Sequence, residues 1–205
     1  MPTIQFKEDK NTGYKPRTLE NAKADCTIAI AVDFESAGEI CTLNAVKANK
    51  KHYLKIDISD GLSIKEEHID TIVDFFNQQS IRSINIAGNG IYTFEGKYIQ
   101  QELDYYVFGL LYKILSHKNL KHQLESLRTG GQTGIDESGA KAGYLLQIPT
   151  TILAPKGWKF RGVNGKDISD EALFKDRFTK TLEWDKSNWE EFLNKVEHYI
   201  KWALN

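Results

Sequence analysis

The short run 27-TIAIAVDF-34 is β-rich and almost wholly apolar, and 81-IRSINIA-87 and 150-TTILAP-155 read as further strands. A strand covered on one face alternates apolar with polar residues, so unbroken runs suit strands buried on both faces. Between them lie segments of helical period. Over 63-SIKEEHIDTIVDFFNQQ-79, Ile69, Ile72, Val73 and Phe76 share one face, and Ser63 with Glu66 forms a capping box. A longer amphipathic helix spans about 97–117, with Leu103, Val107, Leu110, Leu111 and Ile114 inward. A helix over 37–50, an alternating strand over 52–58 and a strand over 122–128 complete the series. Strands that alternate with helices predict a Rossmann-like three-layer α/β/α domain with a mostly parallel sheet.

The same reading divides the chain. Residues 1–16 form a polar arm, 17–180 a single domain, and 181–205 a C-terminal helix that packs on the core or on a neighbouring subunit. Its apolar face carries Trp189, Phe192, Val196, Tyr199 and Ile200, and with Trp202 it holds enough aromatic surface to predict a homo-oligomer. Residues 158–186 read as irregular and charged. At 205 residues the chain is long enough for one sizeable core. Its 27 basic and 28 acidic side chains nearly cancel, which gives no electrostatic reason to expect nucleic acid. No apolar run is long enough for a membrane span and the start lacks a signal-peptide core, so a cytoplasmic location is expected. Cys26 and Cys41 lack a CxxC pattern, and the five histidines show no ligand spacing, so no protein-held metal is expected.

In parallel sheets ligands bind beyond the carboxyl ends of the strands. Three predicted strands end there in loops of small residues: 35-ESAGE-39, 87-AGNG-90 and 129-TGGQTG-134. A fourth ends in Pro155-Lys156-Gly157. Glycines let a backbone approach a ligand, and amides at a helix N-terminus favour an anion. The expected phosphate cradle is therefore Thr129, Gly130, Gly131, Gln132, Thr133 and Gly134, with Lys156 beside Gly157 as a point charge. Asp136 and Glu39 are placed to meet a ribose hydroxyl or, in an enzyme, to act as general base; the bland alternative is that each complements a helix dipole. Ser36, Ala37, Gly38, Thr42, Gly88, Asn89 and Gly90 fill out the ligand-binding set. Arg17, just ahead of the first core strand, reaches the same edge. Neither GxxxxGK[ST] nor GxGxxG is present, which argues against a Walker-type nucleotidase and the usual dinucleotide fingerprint.

The run 130-GGQTGIDESGAKAG-143, followed by 154-APKGW-158, resembles the opening of the molybdenum carrier family, which reads SGGQTGVD, a small-residue helix and CPKG. Thr129 stands for the serine and Ala154 for the cysteine. The second half of that family reads RTxxN, a D-A-T-like triplet, GGTxxT and an LNVAGPR-like strand end. Similar segments occur here as 17-RTLEN-21, 25-DCTIAIA-31, 37-AGEICT-42 and 84-INIAGNG-90, but ahead of the first half. The chain thus resembles a circularly permuted domain of the SLOG superfamily, Rossmann-like proteins that recognise nucleotides and related ligands. Permutation requires that the start of the chain and the segment near Phe178 meet in space. AGNG lacks the arginine of the AGPR-type loop, AGE places a carboxylate where GGT has none, and the PGGxGTxxE motif of the base-releasing enzymes is missing.

The resemblance implies binding of a phosphate-bearing nucleotide or NAD-derived ligand such as an ADP-ribose-like signal, for sensing or sequestration, with phage–host defence or counter-defence as a setting. A hydrolase cleaving an N-glycosidic or phosphoester bond is the second expectation. A carrier of the molybdenum cofactor is the third, and an assembly module with glycine loops as scaffolding the fourth.

Overall fold

The computed structural model describes residues 4–182 and residue 194, with side chains described up to Phe178 and at residue 194. A six-stranded, all-parallel sheet forms the centre. Its strands are β1 (Ile4–Glu8), β2 (Cys26–Ala31), β3 (His52–Asp57), β4 (Ser83–Gly88), β5 (Ser126–Thr129) and β6 (Thr150–Ala154), in spatial order β1-β6-β5-β4-β2-β3. The helices are α1 (Tyr14–Asn21), α2 (Ala37–Asn49), α3 (Glu66–Gln79), α4 (Gln100–Leu115), α5 (Ile135–Leu145) and α6 (Glu171–Leu182). Helix α1 packs on α2, whereas α3, α4, α5 and α6 pack in series. The chain leaves β2 for β3 in one direction, then returns past β2 to β4 and continues the other way. That reversal puts the topological switch point between β2 and β4, where ligands of open parallel sheets bind.

Burial explains the strand reading. All six residues of β2 are buried, as a central strand with both faces covered requires. Ile28, Ile30, Ile84, Ile86 and Leu127 join Ile69, Val73, Phe76, Leu103, Val107 and Ile114 in one core. Gly139 of α5 lets that helix lie close to the sheet, since a Cβ there would meet Ile86 at 2.5 Å.

Three expectations need correction. Residues 4–8, expected in a polar arm, are the edge strand β1, paired with β6 alone. An edge strand needs few apolar residues, and here Ile4 and Phe6 alternate with exposed Gln5 and Lys7. Residues 158–182, expected to be irregular, contain an antiparallel hairpin, β7 (Lys159–Arg161) with β8 (Asp167–Ser169), and then α6. The charge of this segment masks Phe160, Phe174 and Phe178, which build a second core with Ile152 and Ala154. Ser63 does not cap α3, which starts at Glu66; Leu62 and Ile64 are drawn into the core ahead of it. The expected C-terminal helix, 181–205, lies outside the described residues apart from 181, 182 and 194.

The chain start does meet the segment near Phe178. The rings of Phe6 and Phe178 are 5.8 Å apart, and the Tyr14 hydroxyl donates to Asp167 at 2.8 Å.

Candidate functional site

Beyond β2, β4 and β5 lies a cavity of about 340 Å³, open on one side. From α1 come Tyr14, Lys15, Arg17, Thr18 and Asn21, and from α2 come Ala37, Gly38, Glu39, Cys41 and Thr42. Asn85, Ala87, Gly88, Gly90 and Tyr92 follow from β4 and its loop, then Gly130, Gln132 and Asp136, and finally Arg161 from the hairpin. Thr27 pairs with Asn85 in register, and the alternation of β4 sends Ile84 and Ile86 to the opposite face. Of the expected residues, Arg17, Ala37, Gly38, Glu39, Thr42, Gly88, Gly90, Gly130, Gln132 and Asp136 come together here.

Arg17 and Asp136 form the deepest ion pair. Arg17 Nη1 donates to Asp136 Oδ2 at 3.1 Å, with both side chains under a tenth exposed. The Gln132 amide also donates to this oxygen at 3.3 Å, and the Thr129 hydroxyl donates to the Asp136 carbonyl at 2.9 Å. Burial pushes the Asp136 carboxyl upward, against the pull of Arg17. Among the described residues Glu39 has no cationic partner. It is 2% exposed, its Oε2 has no hydrogen-bond partner, and burial pushes its carboxyl up to about 8, with Asp136 and Asp33 adding to the rise.

The loop 129–134, expected as the phosphate cradle, also holds the protein together. The Gly134 amide donates to Gln100 Oε1 at 2.7 Å, and the Ile135 amide to the Asn89 carbonyl at 3.2 Å. The Gly131 carbonyl accepts from Arg177 at 2.7 Å, and the Thr133 hydroxyl donates to the Arg161 carbonyl at 2.8 Å. Gln132 reads the backbone of β7: its Nε2 donates to the Lys159 carbonyl at 3.2 Å and its Oε1 accepts the Arg161 amide at 3.0 Å. The loop therefore docks the hairpin that carries Arg161 to the cavity.

We expect Gln132→Ala to lose both backbone bonds, at about 1–2 kcal/mol. Hydrogen exchange should accelerate at 159–169 while the central strands keep their protection; unchanged exchange in the hairpin would count against the docking role.

The remaining expected residues stand behind the wall or away from it. Ser36 caps α2, its Oγ accepting the Glu39 amide at 3.4 Å. Asn89 braces the β2–α2 loop by accepting the amides of Val32 at 2.9 Å and Asp33 at 3.0 Å. Lys156 is exposed and follows β6, which lies two strands from β4. The Gly157 amide donates to Glu8 at 2.6 Å. Neither lines the cavity.

Sequence reasoning missed Asn21 and Asn85. The alternation of 83-SINIAG-88 could have flagged Asn85 as a polar residue between two isoleucines. Tyr14, Tyr92 and Arg161 were missed too. Arg161 lies 5.3 Å from the Tyr14 ring centre and 5.6 Å from that of Tyr92, and it donates to the Tyr92 hydroxyl at 3.2 Å.

Buried polar atoms without partners are rare in native proteins. Seven side-chain atoms lack partners among the described residues, and five belong to this cavity: Arg17 Nε, Asn21 Oδ1 and Nδ2, Glu39 Oε2 and Asn85 Oδ1. Their concentration in one wall marks it as built for something other than packing.

No curated protein matches the sequence. Among solved structures, the NADH-dependent butanol dehydrogenase A of Thermotoga maritima aligns at 11% identity with a TM-score of 0.37. The alignment covers 77% of this chain and spans 43% of the dehydrogenase's length. Residues 2–100 match the circularly permutated YpsA SLOG family. This match, over just under half of the chain, agrees with the parallel sheet and the displaced order of the motifs and supports a circularly permuted SLOG-type domain.

Proposed function

We propose that the cavity binds a nucleotide-type ligand about the size of one nucleoside monophosphate. The unpartnered wall of Arg17, Asn21, Glu39 and Asn85 carries this reading. Each such atom costs about 1–3 kcal/mol until something hydrogen-bonds it. Position and the family match support the same class of ligand: the cavity sits at the switch point of a parallel sheet, and residues 2–100 match a SLOG family. The volume lies at the small end of the roughly 300–1,000 Å³ usual for such pockets. An ADP-ribose-sized signal would thus extend past the mouth, where Lys15 offers positive charge and Arg161, paired with Asp167 at 3.0 Å, offers a guanidinium face. Residues 37 and 38, which open α2, line the cavity, and the first amides of a helix have no intrahelical carbonyl. Binding for sensing or sequestration is the role we assign.

Isothermal calorimetry with the four ribonucleoside monophosphates, ADP-ribose, NAD and a pterin monophosphate tests the reading. At least one nucleotide should give saturable heat, and a silent panel would overturn it. Gly38→Leu is the control, because a Cβ at Gly38 meets nothing within 4 Å. We expect its melting temperature to hold while the heat disappears.

One observation favours a second reading. A carboxyl with a pKa near 8 is poised as a general acid or base at neutral pH, so Glu39 fits the hydrolase expectation. Chromatography of the calorimetry samples after hours at 25 °C separates the readings, with free base or released phosphate as the sign of turnover.

A further inference from the structure

The unpartnered groups of the deep wall differ in kind, and that difference bears on which part of a nucleotide faces them. Arg17 Nε–H can only donate, Asn85 Oδ1 can only accept, and Asn21 presents one of each. Asn85 is fixed in this role, since its Nδ2 donates to Thr27 Oγ1 at 3.2 Å. Phosphate suits this wall poorly: Arg17 is already paired with Asp136, and Glu39 adds a second carboxyl. A base suits it poorly too. Bases want aromatic or guanidinium faces, and the rings lining the cavity, Tyr14 and Tyr92, stand half-buried beside Arg161 at the mouth.

We propose that Arg17, Asn21, Glu39 and Asn85 form a subsite for the vicinal hydroxyls of a ribose, leaving base and phosphate to the mouth. This rests on reading the cavity as a nucleotide-type site. Each hydroxyl both donates and accepts, so two adjacent ones satisfy a wall of mixed donors and acceptors. Glu39 suits the task because burial keeps its carboxyl up to about 8, so near neutral pH it too can donate and accept. The groups acting on it include Asp136 of α5, Asp33 of the β2–α2 loop and Tyr53 of β3, and Arg17 of α1 lines the same cavity. The five unpartnered atoms do not touch solvent, so a ligand meets those of Asn21 and Glu39 after a turn of the amide or carboxyl toward the cavity, and those of Arg17 and Asn85 where they stand once it displaces the groups that cover them.

The test is calorimetry at pH 7 with each ribonucleoside monophosphate, its 2′-deoxy and 3′-deoxy forms, and ribose 5-phosphate. We expect the ribonucleotide that binds to lose at least tenfold in affinity on removal of either hydroxyl. Glu39→Ala should weaken the ribonucleotide about tenfold and leave the deoxy form almost unchanged, while Glu39→Gln, which still donates and accepts, keeps the preference. Ribo and deoxy forms binding equally would overturn the subsite and leave the nucleotide reading standing. An equal loss for both forms in Glu39→Ala would give Glu39 a structural role only and overturn its part in the subsite. Silence from every compound, with native melting behaviour, would overturn the nucleotide reading itself. The deoxy comparison uses the unmodified chain, so it stands even where a variant fails to fold.

Discussion

Glu39→Gln should gain stability over the unmodified chain as pH rises from about 4.5 to about 8, and hold that gain above. The Glu39 carboxyl is raised from an ordinary 4.5 to about 8 in the folded protein, chiefly by burial and then by Asp136 and Asp33. Between those values the unfolded chain has released the proton and the folded chain still holds it. Stability must then fall as pH rises, because the folded state binds more protons than the unfolded one. Below 4.5 both states are protonated and the effect vanishes; above 8 both are ionised and the full cost is present. At about 1.4 kcal/mol per pH unit the total is on the order of 4–5 kcal/mol. Glutamine keeps the shape and the polar atoms but has no proton to lose. Urea unfolding at pH 5, 6, 7, 8 and 9 reads the difference directly, and subtraction of the two profiles cancels groups common to both proteins. Parallel profiles would show that Glu39 ionises freely, and the wall would then not withhold solvent from its carboxyl.

The sequence disclosed those parts of the protein whose signals are local. The apolar run 27-TIAIAVDF-34 is legible because a strand buried on both faces must be apolar at nearly every position, and β2 is. Permuted order was legible because RTLEN, AGEICT and GGQTG are short motifs whose sequence order can be read without knowing the sheet. Phe6 on Phe178 then closes the junction that this order demands. The site was legible by neighbourhood, through the strand ends, but not by the work of each residue. GGQTG looks like a phosphate loop because glycines and helix amides in isolation favour anions. Only the fold shows that Gln100 and Asn89 take the amides of Gly134 and Ile135, while Arg177 and the hairpin engage the Gly131 carbonyl and the side chains of Gln132 and Thr133. Arg161 could not be found locally at all: it reaches the cavity because Gln132 and Thr133 dock a hairpin 27–29 residues away in sequence.

The same limitation hid the reason for Gly130, which supports the second large prediction. A Cβ at Gly130 would lie 0.9 Å from Arg17 Nη1 and 2.6 Å from Asp136 Oδ2. Gly130→Ala must therefore expel the guanidinium from its carboxylate, leaving Asp136 buried and unpaired. Loss of one partner from a buried pair costs about 3–5 kcal/mol, far above the effect of alanine itself. Arg17→Ala should cost a similar amount by the same route. If Gly130 exists to admit Arg17, the two changes cannot add, because the second has no pair left to break. We expect the double variant to be little less stable than either single one. Asp136→Asn should recover part of the loss in the Arg17→Ala background by removing the stranded charge. Denaturant unfolding of the single and double variants provides the cycle. Additive costs would mean that Gly130 serves the backbone turn alone. The first glycine of the motif would then have no part in seating the arginine that α1, from the opposite half of the permuted chain, brings to the cavity.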